Sequence, residues 1–387
     1  MKPGCIEILR TLVGFPTVSR DSNRPLIDWV RNYLADLRIE SHLVPNAEGT
    51  KANLFATVGP AAPGGVVLSG HTDVVPVDDQ PWSSDPFQLT VRGSRLQGRG
   101  CADMKGFIAT VLARIPDWSR SRLQRPVHMM LSYDEEVGCR GVSSMISAAR
   151  EILHRPAAVI VGEPTGMRLA TQHKGLCLAS TKVTGIEAHS SLTHRGESAV
   201  MIAGELIAHL RQIGDELASQ RASGASTFEP PYTTVSVNKI LGGTAFNITA
   251  ALCEFMWDIR ALPGEHSGDV LTALASRAGR LLAQLAGQGK RCDIETTVIA
   301  DAPPLRAEEG GAAAALVRAV AERPEPDIAV PFGTEGGYFQ QAGWSTVVCG
   351  PGHIEQAHRP DEFIERSQLE ECEAFLDRLI RLQLAEG

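Results

Sequence analysis

The chain reads as an α/β protein with a mostly parallel sheet, interrupted by an inserted α+β unit in the βαββαβ, ferredoxin-like order. Three observations predict this. First, β-branched apolar runs at residues 66–69, 127–132 and 157–161 alternate with helical patterns. Each run delivers imidazole or acidic side chains just past its carboxyl end, where open α/β sheets build their sites. Second, between about residues 176 and 300 the order changes to β-α-β-β-α-β, enough to fold as its own small domain. Third, the first pattern resumes after Pro303-Pro304.

Leu9, Leu12 and Val13, then Leu26, Ile27, Val30, Tyr33, Leu34 and Leu37, recur at helical spacing, and Phe15-Pro16-Thr17 separates two helices. Strands over 41–44 and 53–58 precede the one leading to His71. Residues 81–100 are loop-like, and a helix opens after Asp103 and runs through 107–115. A helix over 142–153 lies between the strands at 127–132 and 157–161. Within the insert, strands are expected at 177–184, 233–240, 252–259 and 292–299, and helices at 199–213 and 270–285. A Ser/Gly/Pro-rich stretch, 222–231, is its longest linker. A helix over 312–321, strands at 328–330 and 346–349 and a helix over 368–384 close the chain. The expected division is therefore 1–175 with 301–387 as one discontinuous domain and 176–300 as the inserted one.

A length of 387 residues suits two domains, and 43% hydrophobic with 21% charged residues is a soluble, globular composition. A net charge of −8 argues against nucleic acid or anionic membrane as partners. The eight cysteines are scattered singly with no Cys-x-x-Cys pair, as reduced thiols would be, rather than a disulfide framework or a structural zinc cluster. No stretch is apolar for long enough to serve as a leader or to span a bilayer, so a cytoplasmic location is expected.

Five residues at strand ends or in loops have the right chemistry for a two-metal site: His71, Asp103, Glu136, Glu163 and His358. Imidazole nitrogen and carboxylate oxygen suit Zn²⁺, with Co²⁺ or Mn²⁺ as substitutes, and a pair of ions sharing one carboxylate needs about this many ligands. Asp73, two residues from His71, shares its face in an extended chain and can orient the imidazole. In Asp134-Glu135-Glu136 neighbouring side chains point in different directions, so one glutamate can bind metal while the other faces a water as general base. Taken alone, His-x-Asp also reads as a solvated loop pair and the acidic run as a solvated turn.

Together these runs are specific. Gly70-His71-Thr72-Asp73-Val74-Val75-Pro76, Gly98-Arg99-Gly100 with Ala102-Asp103-Met104-Lys105-Gly106, Asp134-Glu135-Glu136 with Gly138, Gly162-Glu163-Pro164-Thr165 and the C-terminal His358 resemble the di-zinc aminoacylase, deacetylase and carboxypeptidase family, in its order and over nearly the whole chain. Trp82 with Asp85-Pro86-Phe87, Gln172-His173-Lys174-Gly175, Ala188-His189-Ser190-Ser191 and the run from Cys349 to Phe363 are similar to its acetylornithine-deacetylating branch.

The resemblance implies a zinc-peptidase-like catalytic domain with a mixed, mostly parallel sheet, and an inserted domain that serves as lid and homodimer contact. It implies two Zn²⁺ per subunit, with Asp103 bridging, His71 and Glu163 on one ion, and Glu136 and His358 on the other. Asp73 would stand behind His71, Glu135 would be the general base, and the Asp103-Met104 peptide would be cis. The implied reaction is hydrolysis of a small N-acyl amino acid, most specifically N²-acetyl-L-ornithine to L-ornithine and acetate, in arginine synthesis. Removal of succinate from succinyl-diaminopimelate and broad N-acyl amino acid hydrolysis are rivals, and a non-catalytic scaffold is the alternative of another class.

His189 is implied to reach the partner subunit's site and stabilise the oxyanion, although its spacing equally suits a helix cap. Arg260 is implied to clamp the substrate α-carboxylate, or is simply the charged end of a strand. Asn247 and Thr334 are candidates for the same pocket, with turn chemistry around Gly242-Gly243 and Gly336-Gly337 as the other explanation. Cys101 departs from the small hydroxyl or aliphatic residue expected beside the bridging aspartate.

Overall fold

The structure is a computed structural model that describes residues 4–220, 227–321 and 325–384, so part of the 222–231 linker lies outside the described residues. In chain order, helices α1 (Cys5–Val13) and α2 (Arg24–Asp36) precede strands β1 (Ser41–Pro45), β2 (Ala52–Val58) and β3 (Val66–His71). Then come β4 (Thr90–Arg92), β5 (Arg95–Gln97), α3 (Lys105–Trp118), β6 (Val127–Ser132), α4 (Val142–Ile152), β7 (Ala158–Val161) and β8 (Ala170–His173). They are followed by β9 (Leu176–Thr184), α5 (Ala199–Ser219), β10 (Thr234–Gly242), β11 (Leu252–Arg260), α6 (Ser267–Gly287) and β12 (Asp293–Ala302). The last elements are α7 (Ala312–Val320), β13 (Ile328–Val330), α8 (Gly336–Gln341), β14 (Thr346–Val348), β15 (Phe363–Glu365) and α9 (Arg366–Arg381).

Two compact units result. The first comprises Met1–Gln172, Leu305–Ala329 and Thr334–Gly387, and the second His173–Pro304 with Val330–Gly333. The sequence places the divisions after 175 and 300, and it gives no sign that Val330–Gly333 groups with the second unit.

The first unit is built on an eight-stranded sheet in the order β1-β2-β6-β3-β7-β14-β8-β13. Its centre is parallel, β6 beside β3, β3 beside β7 and β7 beside β14, whereas β1, β2 and β8 pair antiparallel. Every residue of β3, β6 and β7 is buried, as expected for strands covered on both faces, and this is why they read as unbroken apolar runs. The helices are amphipathic by contrast. In α9 the buried positions Leu369, Cys372, Phe375, Leu376 and Leu379 recur three and four apart. The register places His71 opposite Ser132, so the polar ends of β3 and β6 emerge side by side.

The sequence misses a second, three-stranded sheet, β15-β5-β4, whose strands β4 and β5 lie within the stretch expected to be loop. Its strands have three residues each, too few to display a period, and β15 arrives from the far end of the chain.

The second unit carries the antiparallel sheet β10-β11-β9-β12. Burial alternates along β9 and β11, and the buried face, with Phe255 and Trp257, packs against Ile202, Leu206 and Leu210 of α5 and Leu274 and Leu281 of α6. This is the expected β-α-β-β-α-β order. Among the described residues no helix is long and apolar enough to cross a membrane, and all eight cysteines are free thiols.

One histidine in this core has a consequence for stability. His128 on β6 is 2% exposed, with Nδ1 2.9 Å from the Thr57 hydroxyl. Burial, reinforced by His154, pushes its pKa down to about 4. The unfolded chain, with an ordinary imidazole near 6.5, binds this proton more readily. Stability is therefore whole above about pH 6.5 and declines as pH falls through the folded value, by an amount approaching on the order of 3 kcal/mol. The His128→Gln variant should lose less of its urea midpoint between pH 7 and pH 4.5 than the unsubstituted chain. Parallel losses would contradict the assignment.

Candidate metal centre

Three adjacent parallel strands supply the site. β3 ends in His71, β6 runs into Tyr133-Asp134-Glu135-Glu136, and β7 runs into Gly162-Glu163. Gly162 must be glycine, because a Cβ there would lie 2.1 Å from the Phe107 ring. Asp103 comes from the loop before α3, with the Asp103-Met104 peptide cis as expected. His358, at φ 58°, comes from the loop that leads into β15.

The Asp103 carboxylate stands between the two histidines. Oδ1 is 3.0 Å from His71 Nε2 and Oδ2 is 3.2 Å from His358 Nε2. His71 Nε2 also lies 3.7 Å from Glu163 Oε1, and His358 Nε2 lies 3.1 Å from Glu136 Oε2. His71, Asp103 and Glu136 are close enough to share an ion, and so are His71, Glu135 and Glu163. His71, Asp103 and Glu163 are buried, whereas the His358 side chain is half exposed.

These donors fit divalent cations for a reason visible in their own contacts. His71 Nδ1 lies 2.9 Å from the Asp73 carbonyl oxygen, which can only accept, so Nδ1 carries the hydrogen and Nε2 is directed at Asp103 and Glu163. Four carboxylates, those of Asp103, Glu135, Glu136 and Glu163, crowd around two imidazoles, an arrangement that positive charge stabilises.

The electrostatics agree. Burial disfavours the charged form of His71, but the neighbouring carboxylates of Asp103 and Asp73 outweigh that and hold its pKa well above the usual imidazole range. Burial likewise opposes ionisation of Asp103, yet His358 and His71 hold its carboxyl well below the usual range. Hydrogen bonds to Asp103 and Glu136 push His358 up to about 11. Burial raises Glu163 well above its ordinary value, with the Asp103 charge adding to it. Burial also pushes Glu135 up to about 8 against the pull of His71, and Glu136 and Glu335 add to the rise.

Asp73 has a wider role than a support for His71. Its carboxylate is 3.6 Å from Nδ1, while it accepts the Ser19 hydroxyl at 2.7 Å and the backbone N–H groups of Glu135 at 3.1 Å and Glu136 at 3.3 Å. It thus ties the acidic turn after β6 to the end of β3.

Two further acids, Glu362 and Glu335, emerge here. Glu362, fully buried, accepts Arg99 Nη1 at 2.8 Å and the N–H groups of Gly100, Ala102 and Asp103 at 2.9, 2.9 and 3.2 Å, so one carboxylate shapes the loop that carries Asp103. Arg99 is itself buried over the Trp82 ring. Glu335, 1% exposed, has no hydrogen-bond partner of good geometry on either oxygen among the described residues, and burial pushes its pKa up to about 7, with the Ser132 hydroxyl beside it acting the other way.

Of the remaining candidates, Thr334 is buried in the first unit and its hydroxyl accepts the Gly336 N–H at 2.9 Å. His189, Asn247 and Arg260 belong to the second unit. There His189 bridges Ile248, Ser190 N–H donates to the Asn247 carbonyl at 2.9 Å, and the His189 ring meets the Ser191 hydroxyl at 2.8 Å. No helix starts at His189, since α5 begins at Ala199 with Ser198 as its cap. Arg260, at the end of β11, lies 3.5 Å from Asp258.

Residues 67–382 match the model of peptidase family M20/M25/M40. An acetylornithine deacetylase from Edwardsiella ictaluri (strain 93-146) is 36% identical over 390 residues, covering 98% of this chain and 97% of that protein. Among solved structures, an M20 family metallo-carboxypeptidase from Sulfolobus solfataricus superposes with a TM-score of 0.77 at 18% identity, covering 98% of this chain and 99% of that one. A Bacillus subtilis protein described as a dinuclear metal-binding peptidase of the M20 family gives 0.64 at 14% identity, covering 98% and 97%. The acids and imidazoles gathered at the strand ends therefore lie in a chain that belongs to peptidase family M20/M25/M40 and is a hydrolase.

Proposed function

We propose that this hydrolase cleaves the amide bond of N-acyl amino acids, with N²-acetyl-L-ornithine as its substrate and L-ornithine and acetate as products. The observation that carries the reading is Asp103 held between His71 and His358, with Glu135, Glu136 and Glu163 around it. The identity to the Edwardsiella deacetylase supports the substrate.

His71 and Glu163 would hold one divalent cation and Glu136 and His358 the other, with Asp103 shared, and imidazole and carboxylate donors favour Zn²⁺. Bound there, such a pair supplies Lewis-acid polarisation of the acyl carbonyl and acidifies water.

Glu135 takes a proton from the attacking water as its oxygen bonds to the acyl carbon, and delivers that proton to the departing amine nitrogen as the C–N bond breaks. Asp73, through the Glu135 and Glu136 N–H groups, fixes where this carboxylate stands. Arg260 would pair with the substrate α-carboxylate, assisted by Asn247 and by the loop at Thr334, and His189 would stabilise the oxyanion across a homodimer formed through the second unit.

A side-by-side comparison of kcat/KM over acetylornithine, succinyl-diaminopimelate, acetylmethionine and a dipeptide tests this. Acetylornithine should lead by at least about tenfold, what roughly one methylene of pocket complementarity provides. A lead for the succinyl substrate or the dipeptide would overturn the substrate assignment.

A further inference from the structure

The turn that carries Glu135 is closed by two backbone bonds onto one carbonyl, since the N–H groups of Gly138 and Cys139 reach Glu135 O at 2.9 and 2.8 Å. Cys139 sits in this turn at φ 55°, the left-handed region that glycine occupies freely and a side chain occupies at a cost of about 1 kcal/mol. The bond from Arg140 N–H to the Asp134 carbonyl, 3.0 Å, locks the turn one step further out. This backbone folds the Cys139 side chain back onto Glu135, with Sγ 3.4 Å from Oε1. The thiol is 2% exposed, and burial together with the Glu135 and Glu335 charges holds it in the protonated, donating form.

We propose that Cys139 is a positioning residue for Glu135: its S–H holds Oε1 and so fixes the direction in which the other carboxylate oxygen faces. The inference rests on the reading of Glu135 as the general base. Because the contact is to the base and not to the substrate, its loss slows the proton transfer and leaves ground-state binding alone. A sulfur donor suits this place. It is long enough to span from residue 139 to the carboxylate, and its weak bond lets the carboxylate release and regain a proton in each turnover.

The experiment compares Cys139→Gly and Cys139→Ser with Glu135→Gln and with the Cys139→Gly, Glu135→Gln double variant. Each is measured for kcat, KM, metal content and thermal midpoint on acetylornithine. Glycine accepts the left-handed backbone, so Cys139→Gly should fold with an unchanged or higher midpoint, and kcat should fall by about five- to tenfold with KM and metal content unchanged. Serine, keeping a donor, should recover part of that loss. The double variant should be no slower than Glu135→Gln alone, because a positioning residue has nothing to position once the base is gone.

A normal kcat in Cys139→Gly beside a disabled Glu135→Gln would overturn the role of Cys139 and leave the base assignment standing. A normal kcat in Glu135→Gln would overturn both.

Discussion

Replacing Glu135 with Gln is expected to lower kcat by roughly 10²- to 10⁴-fold, the range that a positioned general base contributes, while both metal ions stay bound. Glutamine keeps the shape of the side chain and its ability to accept the Cys139 S–H, but it cannot take a proton. KM should change little, since the role proposed for Glu135 is on the water and not on the substrate's binding groups. Metal analysis of the same preparation separates loss of the base from loss of the ions. Turnover within a few-fold of the unsubstituted enzyme would remove Glu135 from the reaction.

The largest expected effect on stability lies one layer behind the proposed metal ligands. Glu362 and Arg99 form an ion pair in which both side chains are 1% exposed, and Gln80 Oε1 accepts from Arg99 Nη2 at 2.6 Å. Replacing Glu362 with Leu would leave a buried guanidinium short of its counter-charge and three backbone N–H groups without an acceptor. Removing one partner of such a pair costs about 3–5 kcal/mol, far more than an exposed pair contributes. Because the lost N–H contacts include that of Asp103, metal affinity should also fall by about 10- to 100-fold, as happens when the groups that orient a ligand are removed. Urea denaturation and metal titration of Glu362→Leu check both. A midpoint shift no larger than that of a surface substitution would show that the pair does not hold the loop.

These two residues also mark how far the sequence could be read. The central strands were legible because β3, β6 and β7 are buried on both faces and therefore uniformly apolar, and each stops at a polar run. Glycine and the first polar side chain after each strand are local signals, so His71, Glu135, Glu136 and Glu163 could be named from spacing together with the family resemblance.

Glu362 could not. Its function comes from lying beneath residues 100–103, some 260 positions earlier in the chain, and no local period encodes that contact. The same holds for β15, which pairs with β5, and for the buried carboxyl of Glu335. α8 was hidden because Gly336-Gly337 reads as a turn, yet Thr334 accepts the Gly336 N–H and Phe339 is fully buried, which is enough to hold a short helix in tertiary context.

His71 Nδ1 is a subtler case. His-x-Asp suggests an imidazole oriented by the aspartate side chain, but the acceptor at hydrogen-bonding distance is the Asp73 backbone carbonyl, which frees the carboxylate for the acidic turn. Side-chain identity alone carries no information on which oxygen of a residue is used.

The central claim is that His71, Asp103, Glu136, Glu163 and His358 gather a pair of divalent cations beside Glu135. Calorimetric titration of the chelator-stripped protein with Zn²⁺, run together with the Asp103→Ala variant, tests it most directly. Two ions per chain, recovery of hydrolysis in step with their binding, and loss of both tight sites in Asp103→Ala are the results expected. Full hydrolysis by the stripped protein, or two tight sites surviving in Asp103→Ala, would contradict it.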